Sequence, residues 1–575
     1  MKFCVTVNES KSELQQDTDV PPPPINVEIR TIEQHFSSEH TFRMPWFQRA
    51  YAWSEEHAMR LLRDIIDASQ GNRGRYALGG VMLAAPEGQK WAALIDGHQR
   101  TLTLTILIAL LRDLIETPAT KARLDALIHC NRTAGSEGDP VRVTPQPCNV
   151  ECFKTYVQQM GATLREREEA MHGLLESERN LLQNRDRLAE LIVEHLPTEQ
   201  AKLKLTAFLL ERCYLIVQIV VDEEEAWEML SVEETTGLAF HASERSKVAI
   251  ITVMHRSVQE EAGRTWDLWQ ARLGADGMTS LLRHIRALKA HKTSAKPIEQ
   301  DLVELYNLED SDLSFISDIL VPYAQYYLAI QNADLGCYAS KAEIGYYINM
   351  LSWLPRQDWI PPVLSWIKIN GADHSDTITF FRRLDRLAWL MRIAGRDPIE
   401  QERRFRSITN LIVSGGAISD VPHLQIDERI AHLSRKNLLS RTFYDKSYSR
   451  LVLRRLSILA GQDCGPINGD QATVEHVLPR NPPQGSPWLT MYPDKKAIDQ
   501  HAHRLGNLVV LTFAENQRAG VRPLQEKQRV FATTFHVLAR QVSDIAEWTP
   551  DFINRRSEEL ASQLFDSWEL DISRH

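Results

Sequence analysis

The run AALIDGHQRTLTLTILIALL, residues 92–111, constrains this chain most: an apolar, strand-like segment turns at Asp96 and Gly97 and passes at once into a stretch apolar enough to be buried. Asp96, His98, Gln99 and Arg100 therefore sit together between two hydrophobic elements. Such a cluster has to be hydrogen-bonded inside the protein or face a ligand, because burying each group unpaired costs roughly 2–7 kcal/mol. From Thr101 onward a buried helix is the simplest reading, although alternating Thr and Leu also fits a strand locally. A turn that opens a helix presents free amides and the positive end of the dipole, which suit a phosphate, and Arg100 adds a bidentate clamp while Asp96 is free to orient a water or metal. The alternative has Asp96 capping the helix and Arg100 paired with a nearby acid.

A chain of 575 residues, 43% hydrophobic and 25% charged, has room for two to four domains. Its net charge of −10 argues against a wholly basic nucleic-acid coat and leaves a local cationic groove open. The apolar runs Leu102–Leu111 and Leu215–Val221 are too short to cross a membrane, and the first residues turn polar before a signal core forms. With seven sparse cysteines, these features point to a cytoplasmic protein with reduced thiols. His129, Cys130, Cys148 and Cys152 match no strong zinc spacing. The acidic run Asp222–Glu228 reads as a solvated helix start rather than a cation site.

Along the chain, a tail ends in Pro21–Pro24, and a mixed region follows with strands at RYALGGVMLAA and KWAALID and a helix at SEEHAMRLLRDIIDA, opened by Ser54. From about residue 160 to about 460 the pattern is mainly helical. The last part reads as strand (ATVEHVLPR), loop, strand (LGNLVVLT) and helix (LQEKQRVFATTFHVLARQV). The expected fold class is α+β, predominantly helical.

A strand-loop-strand-helix unit can gather what phosphodiester hydrolysis needs: a base to activate water, a divalent cation and residues that fix both. His476 ends the first strand beside Glu475, Asn507 heads the second, and Asn516 follows before the helix. One carboxylate with neutral oxygen and nitrogen groups suits Mg²⁺ or Mn²⁺. The alternative is a satisfied core histidine with two turn asparagines. His501 and His503 are weaker candidates for phosphate contact. Upstream, Arg429 to Arg455 carries eight Lys or Arg residues interleaved with Phe443, Tyr444 and Tyr448, either a stripe for DNA phosphates or a solvated helix face.

The stretch VEHVLPRNP, a later Trp and HRLGNLVVLTFAEN resemble the His-Me finger (HNH) nuclease domain of GmrSD-type restriction proteins. Upstream, MPWFQRAYAW (Met44–Trp53), YALGG (Tyr76–Gly80) and IDGHQRTLTL follow the order of the ParB-like N-terminal domain of the same proteins, whose hallmark is Asp-Gly-Gln-Gln-Arg. Here His98 replaces the first Gln, and only Gly237 and Leu238 fit the later Asn-x-Arg-Gly element, with Glu234 and Thr236 where Asn and Arg would stand. The resemblance implies His476 as general base, Glu475 and Asn516 as metal ligands and Asn507 as a brace for the loop that positions His476. It further implies that Arg49, Asp96, Gly97, His98, Gln99 and Arg100 line a nucleotide pocket walled by Gln48, Tyr51 and Trp53. Four segments follow: a flexible tail (1–25), a ParB-like nucleotide-binding domain with a helical extension (26–260), a helical linker (261–428) and an HNH-type nuclease domain (429–575). The implied activity is that of a bacterial, cytoplasmic anti-phage endonuclease using Mg²⁺ or Mn²⁺ and controlled by a nucleoside triphosphate (GTP, ATP, UTP or CTP). The implied partners are double-stranded DNA, modified phage DNA above all, and that nucleotide, with a homodimer left open and no membrane. The other reading is a nucleotide-gated DNA-binding clamp with a degenerate nuclease domain.

Overall fold

The computed structural model describes residues 25–71, 73–130, 141–166, 174–221, 241–290, 294–332, 342–371, 375–416, 421–462 and 472–570. The tail with Pro21–Pro24, the acidic run Asp222–Glu228, the element with Glu234, Thr236, Gly237 and Leu238, and residues 463–471 lie outside these residues. The chain divides into two compact units between Ala275 and Asp276. Most described residues are helical, with one mixed and one small antiparallel sheet, an α+β architecture. No described helix is long and apolar enough to cross a membrane.

Unit 1 is built on six strands, β1 (Asn26–Thr31), β2 (Thr41–Arg43), β3 (Tyr76–Ala84), β4 (Trp91–Asp96), β5 (Val143–Thr144) and β6 (Cys213–Val220), in the order β1-β6-β3-β4-β2-β5. The helical reading from residue 160 onward misses β6, which lies inside the sheet, parallel to β3 and antiparallel to β1. Its sequence CYLIVQIV is the near-continuous, β-branched run expected of an internal strand, and such a run has no alternation to betray it. One sheet face is covered by α1 (Glu55–Gln70) and α2 (His98–Leu114), both packed on α3 (Glu176–His195). Ser54 stands at the N-cap of α1, but its hydroxyl bonds His57 Nδ1 (2.8 Å) rather than a free amide, contrary to the expected cap.

The ambiguous Thr-Leu run is helix α2, and the hydroxyls explain why. Thr101, Thr103 and Thr105 donate to the carbonyls of Gly97, Gln99 and Thr101 at 3.0, 2.9 and 2.8 Å, so each buried threonine is satisfied by its own helix. Near the end of α2 the fully buried Arg112 pairs with Asp113 (2.8 Å) and donates to the carbonyls of Val157, Gln158 and Gln159. That arginine takes the carbonyls at the end of the helical stretch Val150–Gln158, which have no partner further along the helix.

Among the described residues, the regular structure of unit 2 is helical apart from a two-stranded antiparallel sheet, β7 (Ala472–His476) with β8 (Leu508–Thr512). Its helices include α4 (Thr377–Ala394), α5 (Glu428–Leu438) and α6 (Ser449–Leu459), then α7 (Phe513–Ala519), α8 (Leu524–Thr533) and α9 (Pro550–Asp566). The basic stretch from Arg429 to Arg455 is therefore not one helix face. Arg455 is buried in a bidentate pair with Asp385 (2.9 and 2.6 Å), stacked over Trp389 and Trp568, whose indole also donates to Asp385. It is out of reach of DNA.

The carboxy-terminal helix differs too. Thr512 and Glu515 form a capping box that starts an additional short helix, α7, directly after β8; Asn516 lies within it and, as expected, before the helix that begins at Leu524. The stretch expected as one helix from Leu524 divides at Thr534–His536 into α8 and a short turn, Val537–Arg540. Gly506 permits the contact of α9 with the start of β8: a Cβ there would lie 2.1 Å from the Ile553 carbonyl.

Arg455→Met strands the Asp385 carboxylate in the core and should cost about 3–5 kcal/mol of unfolding free energy. Urea titration checks this, and Asp385→Leu in the same chain should restore part of the loss.

Candidate functional site

In unit 1 the strand-to-helix junction is held by Gly97, whose φ of 82° no residue with a side chain adopts easily; a Cβ there would lie 2.9 Å from Val81. Gly97, not Asp96, is the N-cap of α2, and no side chain caps it. Gln99 faces inward. Its Oε1 accepts from the amides of Ala52 (2.8 Å) and Trp53 (3.3 Å), and its Nε2 donates to the Ala50 carbonyl (3.1 Å) and to His98 Nε2 (2.8 Å). Burial first, and the Arg49 charge second, pushes His98 down to about 3, so the ring is neutral and can accept from Gln99.

The segment around Tyr51 is gripped from other sides as well. Gln48 donates to the Ile95 carbonyl, Tyr51 meets Thr103 (2.7 Å), and Asn184 donates to the Tyr51 hydroxyl (2.9 Å) and the Trp53 carbonyl (2.8 Å). Arg100 donates to the Gly80 carbonyl (2.8 Å) and lies over Gly79, where a Cβ would come within 3.0 Å of the guanidinium. Burial pushes Arg100 down from its ordinary value while Asp96 pulls it back up. Of the six expected nucleotide contacts, His98 and Gln99 are buried and hydrogen-bonded within the chain, Arg49, Gly97 and Arg100 are half-buried, and Asp96 is exposed.

In unit 2 His476 is the last residue of β7 and only 7% exposed. Tyr444 packs against its ring at 4.4 Å between centroids, with His503 at 5.2 Å. Asp445 holds His503 Nδ1 at 3.0 Å, and Arg480 lies 5.7 Å from the Tyr444 ring. Burial, then the charges of His503, Arg480 and Lys527, pushes His476 down to about 3, and its Nε2 is buried without a hydrogen-bond partner among the described residues. A neutral imidazole with an open nitrogen is able to take up a proton, but burial makes it a weaker base than an ordinary histidine, and a buried polar atom left unpaired calls for a functional or solvent explanation.

Asn507 is completely buried and uses both ends of its amide. Its Oδ1 accepts from Leu478 N (2.8 Å) and Trp548 Nε1 (2.8 Å), and its Nδ2 donates to the carbonyls of Leu478 (3.0 Å) and Ala502 (2.8 Å). It clamps the chain two residues beyond His476 and offers no free atom to a substrate. Asn516 donates to Thr473 Oγ1 (2.8 Å) and to the Val474 carbonyl (3.2 Å), and its oxygen takes no hydrogen bond from a described residue.

Glu475 has a partner that the sequence reading lacked. The Lys527 ammonium, itself buried, meets its carboxylate at 2.5 Å and the His476 carbonyl at 2.6 Å. Burial pushes Glu475 up and Lys527 down, and each offsets that cost for the other. As it stands, the pair does not fit a hard dication, since the one carboxylate is already neutralised. Among the described residues no group of three His, Cys, Asp or Glu side chains is placed to hold a metal ion.

His503, Tyr444, Asp445 and Arg480 are the site residues that sequence reasoning passed over or ranked low. Arg480 and His503 had local signals, the first four positions after His476 in EHVLPR and the second four positions before Asn507 in HRLGN. His501 packs near Tyr492 instead, at 6.0 Å between ring centroids. Residues 32–249 match the family model for the GmrSD restriction endonuclease N-terminal domain, and residues 429–563 match that for the GmrSD restriction endonuclease C-terminal domain. No curated protein matches the chain.

The buried imidazoles set a pH dependence. His98 and His476 hold their protons more weakly folded (about 3) than unfolded (ordinary value 6.5), so between these values the unfolded chain binds more protons. Their stabilising contribution is complete above about pH 6.5 and falls as pH drops toward 3, by at most ~1.4 kcal/mol per pH unit for each ring. Urea unfolding at a series of pH values should show that slope, and His476→Asn should reduce it.

Proposed function

Because the chain belongs to the GmrSD restriction endonucleases, with both the N-terminal and the C-terminal domain of that family in one polypeptide, we propose that it cuts DNA at His476. The observation that carries this reading is the buried, neutral imidazole with an unpartnered Nε2 at the end of β7, next to His503 and Arg480. Nε2 takes a proton from water as the water oxygen bonds phosphorus, and the P–O bond to the leaving oxygen breaks; that oxygen takes its proton from solvent. Asn507 is a positioning residue that keeps the chain after β7 from swinging the imidazole away. Arg480, exposed beside the Tyr444 ring, supplies a cation for the phosphate.

The cation expected from the sequence, Mg²⁺ or Mn²⁺, has an open oxygen at Asn516 and would have to displace the Lys527 ammonium to use Glu475. No step is routed through it. This same ion pair favours the second reading, in which the nuclease domain is a scaffold and unit 1 is a nucleotide-gated DNA clamp. In unit 1, Arg49 and Arg100 would meet the phosphates of a nucleoside triphosphate, with the first amides of α2 behind them. Modified phage DNA, and a bacterial cytoplasm as its setting, belong to this proposal as the substrate and context of defence.

Full-length protein incubated with plasmid and with modified phage DNA, with and without Mg²⁺, Mn²⁺ and each triphosphate, tests the reading. His476→Ala should lower cleavage about 10²–10⁴-fold with DNA binding retained. No cutting by the intact chain under any of these conditions overturns it in favour of the clamp. In the same preparation, Arg100→Ala should weaken triphosphate binding while the chain stays folded, losing only the bond to the Gly80 carbonyl; equal affinity in a folded variant removes Arg100 from that role.

A further inference from the structure

The sheet of unit 1 has a second face, turned away from α1 and α2. Because side chains alternate along a strand, Ala92 and Leu94 of β4 enter the main core, and Trp91, Ala93 and Ile95 emerge on the other side. There they meet Trp46, Phe47, Met82 and Val248 in a smaller apolar cluster. Beside that cluster lies a cavity of about 610 Å³, the size of small-molecule sites generally. It is walled by Trp46, Phe47, Trp91 and Met254, with Arg43 and Arg256 among the residues that line it.

Three features make this a shaped site rather than a gap. The aromatic walls are fixed: Gln48, next to Phe47, is tied to the Ile95 carbonyl, and Lys247 donates to the Trp46 carbonyl while pairing with buried Asp267. Gly263 lets the helix that begins at Gln259 and breaks at Gly274 approach Trp46, where a Cβ would come within 2.6 Å of the Trp46 Cβ. The indoles are half-buried, so they keep surface for a guest. The charge is one-sided: Arg43 stacks on Trp91 at 5.0 Å, neither Arg43 nor Arg256 has a carboxylate partner among the described residues, and the one carboxylate among the described lining residues, Glu260, is bound to Arg264. Flat π-surfaces beside uncommitted guanidiniums suit an aromatic heterocycle that carries a phosphate.

We propose that this cavity is a nucleobase pocket, in which a base stacks on Trp46 and Trp91 and its phosphate meets Arg43 and Arg256. The pocket lies on the sheet face opposite to Arg100 and shares no residue with the His476 site, so it stands or falls apart from both assignments. A free nucleotide and an unstacked base of DNA present the same chemistry.

The test is tryptophan fluorescence of the full chain, titrated with the nucleoside 5′-monophosphates and, separately, with a short single-stranded oligodeoxynucleotide. Saturable quenching is expected. Quenching by the monophosphates identifies a free nucleotide as the guest, and quenching by the oligonucleotide alone identifies an unstacked DNA base. Trp91→Ala should weaken binding, followed by equilibrium dialysis, about 5- to 150-fold, the range that loss of one base–aromatic stack spans. Trp91→Phe, which keeps a ring, should retain most of the affinity, and the surface variant Arg256→Ala should weaken monophosphates but not free nucleosides. The proposal is overturned if no base-bearing probe binds, if folded Trp91→Ala binds as the parent does, or if an abasic oligonucleotide or inorganic triphosphate binds as tightly as its base-bearing counterpart.

Discussion

A primary amide in a dry interior has two donors and two acceptor lone pairs, and leaving them unmet is expensive. This chain uses that obligation at each candidate site. Gln99 holds the amides of Ala52 and Trp53 and the carbonyl of Ala50; Asn507 holds both backbone groups of Leu478. Each amide therefore takes the place of a neighbouring strand, at a position where the backbone turns too sharply for a real one. Everything placed nearby inherits that rigidity: the Arg49–Trp53 segment in unit 1 and the end of β7 in unit 2.

Burying ionised pairs is the second constraint. Arg112 with Asp113, Lys247 with Asp267, Arg455 with Asp385 and Lys527 with Glu475 are all sequestered from water. Such pairs add little net stability relative to well-packed apolar residues, but an error in register leaves a bare charge inside. They serve here as pins. Lys527 joins a helix of the last part of the chain to the Glu475 side chain and the His476 carbonyl together, so the strand end that carries the imidazole is fixed from one side by a charge and from the other by the Asn507 amide.

Much of this was legible in the sequence. The strands and helix around IDGHQR, the strand-loop-strand order near His476 and the place of Asn507 follow from local pattern and turn residues. The parts that were not legible depend on distant partners. Nothing near Glu475 announces Lys527, nothing near Arg455 announces Asp385, and β6 hides because its partly exposed face also carries apolar residues, Ile216 among them, so the sequence CYLIVQIV shows no alternation although the burial does. The short helix α7 that carries Asn516 was not legible because the Thr512–Glu515 capping box, readable as T-x-x-E, lies beneath the stronger strand signal. His503 looked like a surface histidine because its partners, Asp445 and Tyr444, lie in a segment set apart from it in sequence.

His98 shows how far one substitution can be followed. In the Asp-Gly-Gln-Gln-Arg pattern that the sequence resembles, an amide stands at this position, able to donate and accept at once whatever the pH. The imidazole keeps that double capacity only while neutral, accepting from Gln99 through Nε2 and bonding the Arg49 backbone through its other nitrogen. A second proton would set a donor against the Gln99 Nε2–H group and a positive charge beside the Arg49 guanidinium. The exchange of Gln for His is thus not neutral for the clamp: it makes the hold on the Arg49–Trp53 segment conditional on a deprotonated ring. That segment carries Arg49 on one side and continues back to Trp46 and Phe47 on the other, so a slackened clamp would loosen a proposed phosphate contact and two walls of the aromatic cavity together.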